Sequence, residues 1–218
     1  MTDAKTRKPN PPARLTQAER RDRSERELLQ AAIRVVSRDG VAAATFDMIG
    51  REAGFSRGLV TQRFGSKDGL IRALIAFLHD WQNEELEAGH VGEMNGIDAL
   101  CAFVRLHTES LRGSPEGDTY FMLLSAAVAD RQDTRAAFAE SHEVERALIR
   151  SFIERGQAAG DIPKENDADA EALLLGCALL GMRMQALIDP GFDAAPVRDE
   201  LIATIRLRLQ PQGKGRKK

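Results

Sequence analysis

Hydrophobic positions recur every three to four residues along most of the chain, which is the spacing of amphipathic helices. The first stripe of this kind falls on Leu29, Ala32, Ile33 and Val36. A capping box at Thr16 and Glu19 predicts where this helix begins, and Gly40 predicts its end in a left-handed C-cap. No region alternates apolar and polar residues with a period of two. The pattern therefore predicts an all-α protein without a sheet.

Two short helices follow the first one. Thr45 and Ser56 are suitable N-caps for helices at residues 46–53 and 57–64, and Gly54 allows a sharp turn between them. Gly65 then breaks the chain, and Ser66 can cap a long fourth helix at about residues 67–87. Two short helices around a glycine-containing turn predict a helix-turn-helix motif.

The rest of the chain also has a helical pattern. Breaks rich in glycine and proline separate the expected helices, which lie near residues 96–112, 117–130, 133–159, 167–189 and 196–209. The predicted organisation is a disordered basic arm at residues 1–15, a helix-turn-helix domain at 16–66, a helical body at 67–210 and a disordered basic tail at 211–218.

The helix expected at residues 57–64 has two distinct faces. Val60 and Phe64 are four residues apart and apolar, so they should face the core. Arg57 and Thr61 then face outward, beside Gly58. This face suits the major groove of DNA, where an arginine can read guanine with two hydrogen bonds. A solvated charged face is the plainer interpretation of the same arginine.

Five segments of this region resemble the TetR family of bacterial transcriptional regulators. They are Leu29-Gln30-Ala31-Ala32, Gly40, Thr45-Phe46-Asp47-Met48-Ile49, Ala53-Gly54-Phe55-Ser56-Arg57-Gly58 and Phe64-Gly65-Ser66-Lys67. The resemblance covers about residues 25–75. It implies an N-terminal three-helix DNA-binding domain, joined by a long helix to a helical ligand-binding and dimerisation domain.

The resemblance also implies which residues lie at the DNA surface. These are Thr45, Ser56, Arg57, Gly58, Leu59, Thr61, Arg63 and Lys67, and Gln62 is a weaker candidate between the two faces. Thr61 and Arg63 stand where the family commonly carries aromatic residues, so Arg63 could replace an aromatic contact by a charged hydrogen bond to phosphate. Gly50 stands where an alanine is usual.

The charge distribution is uneven. Residues 1–70 contain 14 Lys and Arg against 9 Asp and Glu, whereas residues 71–210 contain 13 against 24. A basic end on an acidic body favours a polyanionic partner at that end, although clustering on solvated faces would look the same. The N-terminal arm could reach a minor groove or be a simple disordered leader.

A helix-turn-helix protein commonly works as a two-fold dimer, because one short helix reads few bases. Small residues in the penultimate helix and an apolar stripe in the last one indicate a four-helix interface. The candidates are Gly176, Ala178, Gly181, Val197, Leu201 and Ile205, continued by Leu209. The alternative is that both helices only complete the core of one chain.

The resemblance further implies a pocket for a small-molecule effector in the helical body. Candidate lining residues are Phe77, Trp81, Phe103, His107, Tyr120, Phe121, Met122, Phe138, Met182 and Met184. Each of them could equally be an ordinary core residue, since aromatic residues and methionines fill cores first.

Other function classes find little support. The four histidines show no metal-binding spacing, and neither a phosphate loop nor a nucleophile elbow is present, so no enzyme, metal or cofactor is expected. The two cysteines lie in apolar stretches and are expected as reduced core thiols of a cytoplasmic protein. The apolar run at residues 172–184, interrupted by Arg183, falls short of a membrane span. The competing class is a DNA-binding architectural or partner-docking protein without ligand response.

Overall fold

The computed structural model describes residues 16–111, 113–129 and 133–211. Nine α-helices lie within these ranges, and none of the described residues forms a β-strand. The helices are α1 Gln17–Asp39, α2 Phe46–Ala53, α3 Arg57–Phe64, α4 Lys67–Ala88, α5 Gly96–Glu109, α6 Pro115–Ala129, α7 Arg135–Ala159, α8 Ala168–Ile188 and α9 Ala195–Leu209. The all-α prediction is confirmed. The predicted arm and all of the tail after Pro211 lie outside the described residues.

The helix starts follow the local capping chemistry. The Thr16 hydroxyl accepts from the Glu19 amide at 3.2 Å, and the Glu19 carboxylate accepts from the Thr16 amide at 2.6 Å. Ser56 and Ser66 cap α3 and α4 in the same way, each accepting from the amide three residues later. These side chains satisfy amides that the first turn of a helix leaves unpaired.

The end of α1 differs from its prediction. Gly40 has φ 85° and ψ 168°, which is not the left-handed helical conformation that was expected. The chain leaves the helix extended because it enters a single 3₁₀ turn at Val41–Ala43 directly afterwards. A backbone of this kind is open essentially to glycine alone.

Buried side chains form two clusters. The first joins α1, α2 and α3 to the first half of α4, from Leu70 to Leu78, and includes Leu123 and Phe138 from the body. The second lies among α5, α7, α8 and α9, and Leu86 is its contribution from α4. Helix α4 therefore belongs to both cores, and the first core does not stop at residue 66.

Helix α8 is buried on one side only. By length and composition alone it could cross a membrane, with a mean hydropathy of 1.5 and 28% burial in its most apolar window. In the sequence, the charge of Arg183 interrupts this apolar run. That side chain is 2% exposed and turns into the core, where it pairs with Asp118 on α6. One helix that meets these criteria is weak evidence for a membrane span.

The two cysteines occupy different environments. Cys101 is buried in the second cluster, as predicted. Cys177 is exposed, so its assignment to the core was wrong. It lies on the outer face of α8, which also carries the exposed Leu173 and Leu174. Neither thiol forms a disulfide.

Candidate nucleic-acid interface and ligand cavity

Helix α3 has the two-sided character that its sequence predicts. Val60 and Phe64 are buried in the first cluster. Arg57, Gly58 and Thr61 are exposed on the opposite side. This face is free because Val60 and Phe64, on the other side of this two-turn helix, pack into the first cluster.

A close backbone contact sets the angle between α2 and α3. Gly50 is buried, and a Cβ atom on it would lie 2.9 Å from the carbonyl oxygen of Phe55. The Phe55 amide donates to the Gly50 carbonyl at 2.7 Å. Gly54 has φ 75° and ψ 23°, the left-handed conformation of a C-cap. Gly50 thus allows the turn to lie against α2, which explains its position where the sequence alone offered no reason.

The predicted DNA-surface residues fall into two groups by exposure. Thr45, Ser56, Arg57, Gly58, Thr61, Gln62 and Lys67 are exposed, while Leu59 and Arg63 are half-buried. Thr45 and Ser56 also cap α2 and α3. Arg63 turns back toward α1, where its Nη2 donates to the Ser24 hydroxyl at 3.1 Å. In this conformation Arg63 supports the packing of α3 on α1 rather than extending to a phosphate.

Arg57 has a partner that the sequence did not reveal. Its Nη1 lies 3.2 Å from the Asp47 carboxylate in the first turn of α2, and both side chains remain largely exposed. Exposed pairs of this kind contribute about 0–1 kcal/mol, so DNA can displace the aspartate at small cost. Met48, 38% exposed beside Asp47, is a further apolar residue on this surface that sequence reasoning missed.

A cavity of about 320 Å³ lies in the helical body. Helices α4, α5, α6, α7 and α8 all contribute to its wall. Five predicted residues line it, namely Trp81, Phe103, His107, Tyr120 and Phe121. The residues that prediction missed are mainly polar: His79, Gln82, Glu85, Glu109, Ser110, Ser114, Glu116, Ser141, Glu145 and Arg183.

The other five predicted lining residues pack elsewhere. Phe77, Met122 and Phe138 belong to the first cluster, and Met182 belongs to the second. Met184 lies beside Ser125, whose hydroxyl approaches its sulfur at 3.9 Å. These side chains fill the space between helices, which is the alternative that the sequence left open for every member of the set.

Arg183 is the most strongly held charge of the cavity wall. Its Nη1 donates to the Ser110 carbonyl at 2.9 Å and to Asp118 at 3.2 Å, and its Nη2 donates to the Ser110 hydroxyl at 2.6 Å. The guanidinium carbon lies 5.8 Å from the centre of the Phe121 ring. Burial raises the pKa of Asp118, and the Arg183 charge acts against that rise.

Two histidines of the wall are held neutral. Burial, with repulsion from Arg183, lowers the pKa of His107 to about 4, although its Nε2–H group donates to the Leu179 carbonyl at 3.2 Å. Burial also lowers the pKa of His79, which contacts the Ser141 hydroxyl at 2.5 Å. The Tyr120 hydroxyl contacts the same serine at 2.6 Å, and burial raises the pKa of Tyr120 to about 12.

The predicted interface residues are not all on the surface. Val197 and Gly181 are exposed, and Gly176, Ala178 and Leu201 are half-buried. Ile205 and Leu209 are buried in the second cluster of the same chain, so they cannot form an outer stripe. The exposed apolar residues of these helices are Leu173, Leu174, Ile188, Val197 and Leu207.

Residues 28–74 match the sequence profile of the bacterial regulatory proteins of the tetR family. The chain is similar to the TetR family over this segment, which covers 47 of its 218 residues. The match coincides with the first buried cluster and the exposed face of α3. Similarity to a family of regulatory proteins over this segment agrees with the expectation that the chain is not an enzyme.

A transcriptional regulator matches part of the chain. A segment of 79 residues is 35% identical to the HTH-type transcriptional regulator BetI of Vibrio atlanticus. That match covers 33% of this chain and 40% of BetI, so it spans less than half of that relative.

Solved structures share the fold over most of the chain. A protein from Rhodococcus assigned to the TetR-family regulators has a TM-score of 0.75 and 20% identity, over 86% of this chain and all of that one. Escherichia coli NemR in its reduced form has a TM-score of 0.72 and 20% identity, over 87% of this chain and all of NemR. A protein from Saccharomonospora viridis, assigned as a transcriptional regulator and crystallised with choline, has a TM-score of 0.70 and 20% identity, over 88% of this chain and all of that one.

Proposed function

We propose that this protein is a cytoplasmic transcriptional repressor that binds a palindromic operator as a homodimer and responds to a small-molecule effector. Its partners would be double-stranded DNA, a second copy of the chain and the effector, without a cofactor or a membrane. The observation that carries the proposal is the exposed polar face of α3, which lies opposite the buried Val60 and Phe64 in the segment that matches the family.

The exposed face has the chemistry of a major-groove reader. Arg57 can donate two hydrogen bonds to a guanine, and Thr61 can contact a base edge or a thymine methyl group. Gly58 has no side chain, so the backbone can come close to the bases. Lys67 begins α4, whose free amides can bind a phosphate at the same helix end.

In-vitro selection from random duplex DNA at fixed near-physiological salt tests the DNA-binding step. We expect enrichment of an inverted repeat, because two copies related by a two-fold axis read two half-sites. Bulk binding that depends on salt but enriches no sequence would contradict the proposal and favour an architectural DNA-binding protein.

Two variants separate base reading from phosphate binding on the selected DNA. Arg57→Ala should lose roughly 1–3 kcal/mol of binding free energy and relax the preference at one base position. Lys67→Ala should weaken every sequence alike and reduce the dependence on salt. Equal and sequence-independent losses in both variants would show that α3 docks on DNA without reading it.

Exposed apolar side chains on α8 and on α9 support the homodimer. Ile188 is 71% exposed and Leu207 is 72% exposed, and an interface between two copies would remove such side chains from water. We expect Leu207→Asp to give monomers in light scattering, while Leu201→Asp tests the half-buried position predicted from the sequence. A dimer that persists in both variants would place the interface elsewhere.

The cavity supports the effector response. Helix α4 begins beside the DNA-facing surface and contributes Trp81, Gln82 and Glu85 to the wall of the cavity. A ligand that displaces this part of α4 would also move its first turn, and so change the spacing of the two reading helices of a dimer. The choline complex of the Saccharomonospora protein shows that a protein of this fold accepts a small molecule. Ligand binding is expected to lower the affinity for the operator.

A further inference from the structure

The cavity wall carries an excess of negative charge. Glu85, Glu109, Glu116 and Glu145 line it, and Arg183 is the one cationic side chain among the described residues that does so. The Arg183 guanidinium already forms an ion pair with Asp118, with 3.2 Å between Nη1 and the carboxylate oxygen Oδ1. His79 and His107 add no charge near neutral pH, since burial lowers the pKa of both.

Glu145 is the carboxylate of the cavity wall that is buried without a cationic partner among the described residues. It lies on α7 between the buried residues Ser141 and Ile149, on the side of the helix that faces the core. No ion pair to Glu145 occurs within the described part of the chain. Burial raises its pKa, and a hydrogen bond from Gln82 acts against that rise. A carboxylate removed from water without a cation is costly, and a bound cation would offset this cost.

Aromatic rings complete the wall. Trp81, Phe103, Tyr120 and Phe121 all line the cavity. Tyr120 is fixed by edge-to-face contacts with Phe121 and Phe138, with ring centres 5.1 Å and 5.3 Å apart. Aromatic faces attract cations, most strongly where water is excluded. Acidic and aromatic groups therefore favour the same kind of ligand.

We propose that the effector is an organic cation with an apolar body, whose positive centre binds beside Glu145 among the aromatic rings of the cavity. This inference rests on the proposed effector response and names the chemical class of the ligand. The volume of about 320 Å³ suits a molecule larger than a simple inorganic ion.

The chain contains its own reporter for the test. Trp81 is the single tryptophan and lines the cavity, so its fluorescence should respond to a bound ligand. The probes are 4-tert-butylbenzylammonium, 4-tert-butylbenzyl alcohol and 4-tert-butylbenzoate, which share the tert-butylphenyl body and differ chiefly in charge. We expect saturable quenching by the ammonium probe, with a Kd at least about tenfold lower than for the alcohol, and the weakest response to the benzoate.

Glu145→Gln keeps the shape of the side chain and removes its charge. We expect this variant to raise the Kd of the ammonium probe by about tenfold or more, while the Kd of the alcohol changes much less. Glu154→Gln is the matched control, because Glu154 lies on the same helix but pairs with Arg150 on the exposed side. It should bind all three probes as the unaltered protein does.

Several results would overturn the inference. They are a preference of the unaltered protein for the alcohol or the benzoate, no saturable quenching by the ammonium probe, and equal losses in Glu145→Gln and Glu154→Gln. The probe preference is measured on the unaltered chain and so does not depend on the folding of a variant. Operator binding without ligand is measured on the same samples. If the DNA is bound but the cation preference is absent, only this inference fails; if no sequence is selected, the regulatory proposal fails whatever the probes show.

Discussion

Arg183→Met tests how the buried arginine stabilises the helical body. Methionine preserves the length and the apolar stem of the side chain but removes the guanidinium. The change deletes three hydrogen bonds, two to Ser110 and one to Asp118, and leaves the aspartate without its cation. The arginine is 2% exposed, so water cannot replace these contacts directly.

The expected loss follows from the geometry of this pair. Removing one partner of a buried ion pair costs about 3–5 kcal/mol of unfolding free energy. The Asp118 side chain is 34% exposed, so it can recover some hydration or take up a proton. We therefore expect a loss at or just below the lower end of that range, about 2–3 kcal/mol.

A double-mutant cycle with Asp118→Asn isolates the ionic part of this loss. Asp118→Asn alone leaves the two Ser110 contacts in place and should cost about 1–2 kcal/mol. The double variant should lose less than the sum of the single changes by about 1–2 kcal/mol, because the contact can be removed only once. Urea unfolding followed by circular dichroism and Trp81 fluorescence gives these free energies.

A loss below about 1 kcal/mol in Arg183→Met, or strict additivity in the cycle, would refute this reasoning. The first result would mean that the guanidinium is as well solvated in the folded chain as in the unfolded one. The second would mean that Arg183 and Asp118 do not interact. Either result would also remove the argument that Asp118 offsets the positive charge in the cavity.

Three further changes test other parts of the structure. Asp47→Asn should tighten binding to the selected operator about two- to tenfold in fluorescence anisotropy at fixed salt, because it frees Arg57 and removes a carboxylate near phosphates; an unchanged or higher Kd would contradict this. His107→Gln should reduce the decline in unfolding free energy between pH 6.5 and 4. The unfolded chain takes up the proton of His107 first, so His107 steepens this decline by up to about 1.4 kcal/mol per pH unit. Identical slopes in both proteins would exclude this role. Gly96→Ala should destabilise the chain by about 1–3 kcal/mol, since its Cβ would lie 2.6 Å from the Phe152 carbonyl oxygen, whereas the exposed Gly58→Ala should not lose stability in the same denaturation experiment.

Local chemistry made the first half of the chain predictable. The caps at Thr16, Ser56 and Ser66 involve residues only three positions apart, so the sequence contains both partners. The spacing of Val60 and Phe64 likewise determined the outward face of α3. In contrast, the Arg57–Asp47 pair spans two helices, and its geometry depends on the turn that Gly50 permits.

The sequence shows the apolar stripes of the helices in the body, but it does not show which surface each stripe packs against. Ile205 and Leu209 do form a stripe on α9, and it faces the core of the same chain. Helical spacing shows that a face is buried without showing which surface covers it. The exposed Leu207 lies outside the i+4 pattern that the sequence argument followed.

The sequence contains a pattern that marks Glu145, although aromatic residues alone do not reveal it. Phe138, Ser141, Ile149 and Phe152 are buried on α7 at helical spacing, and Glu145 falls in phase with them. A carboxylate on a buried stripe is a sharper indication of a site than another methionine or phenylalanine, because an unpaired buried charge is costly and is rarely present without a function. The same criterion applies to Arg183, which is in phase with Leu175 and Leu179 on α8.

Helix α4 connects the first cluster, beneath α3, to the cavity. Its first half, from Leu70 to Leu78, is packed into the first cluster beneath α3, whereas Trp81 and Glu85 face the cavity and Leu86 packs into the second cluster. A ligand in the cavity therefore contacts the same rigid element that positions the reading helix. Because packed cores resist small deformations and respond by shifting whole elements, displacement at Trp81 is more readily passed along α4 than absorbed within it. The direction of the response depends on which spacing of α3 helices the dimer adopts when the cavity is filled, and operator binding with and without the ammonium probe measures this directly.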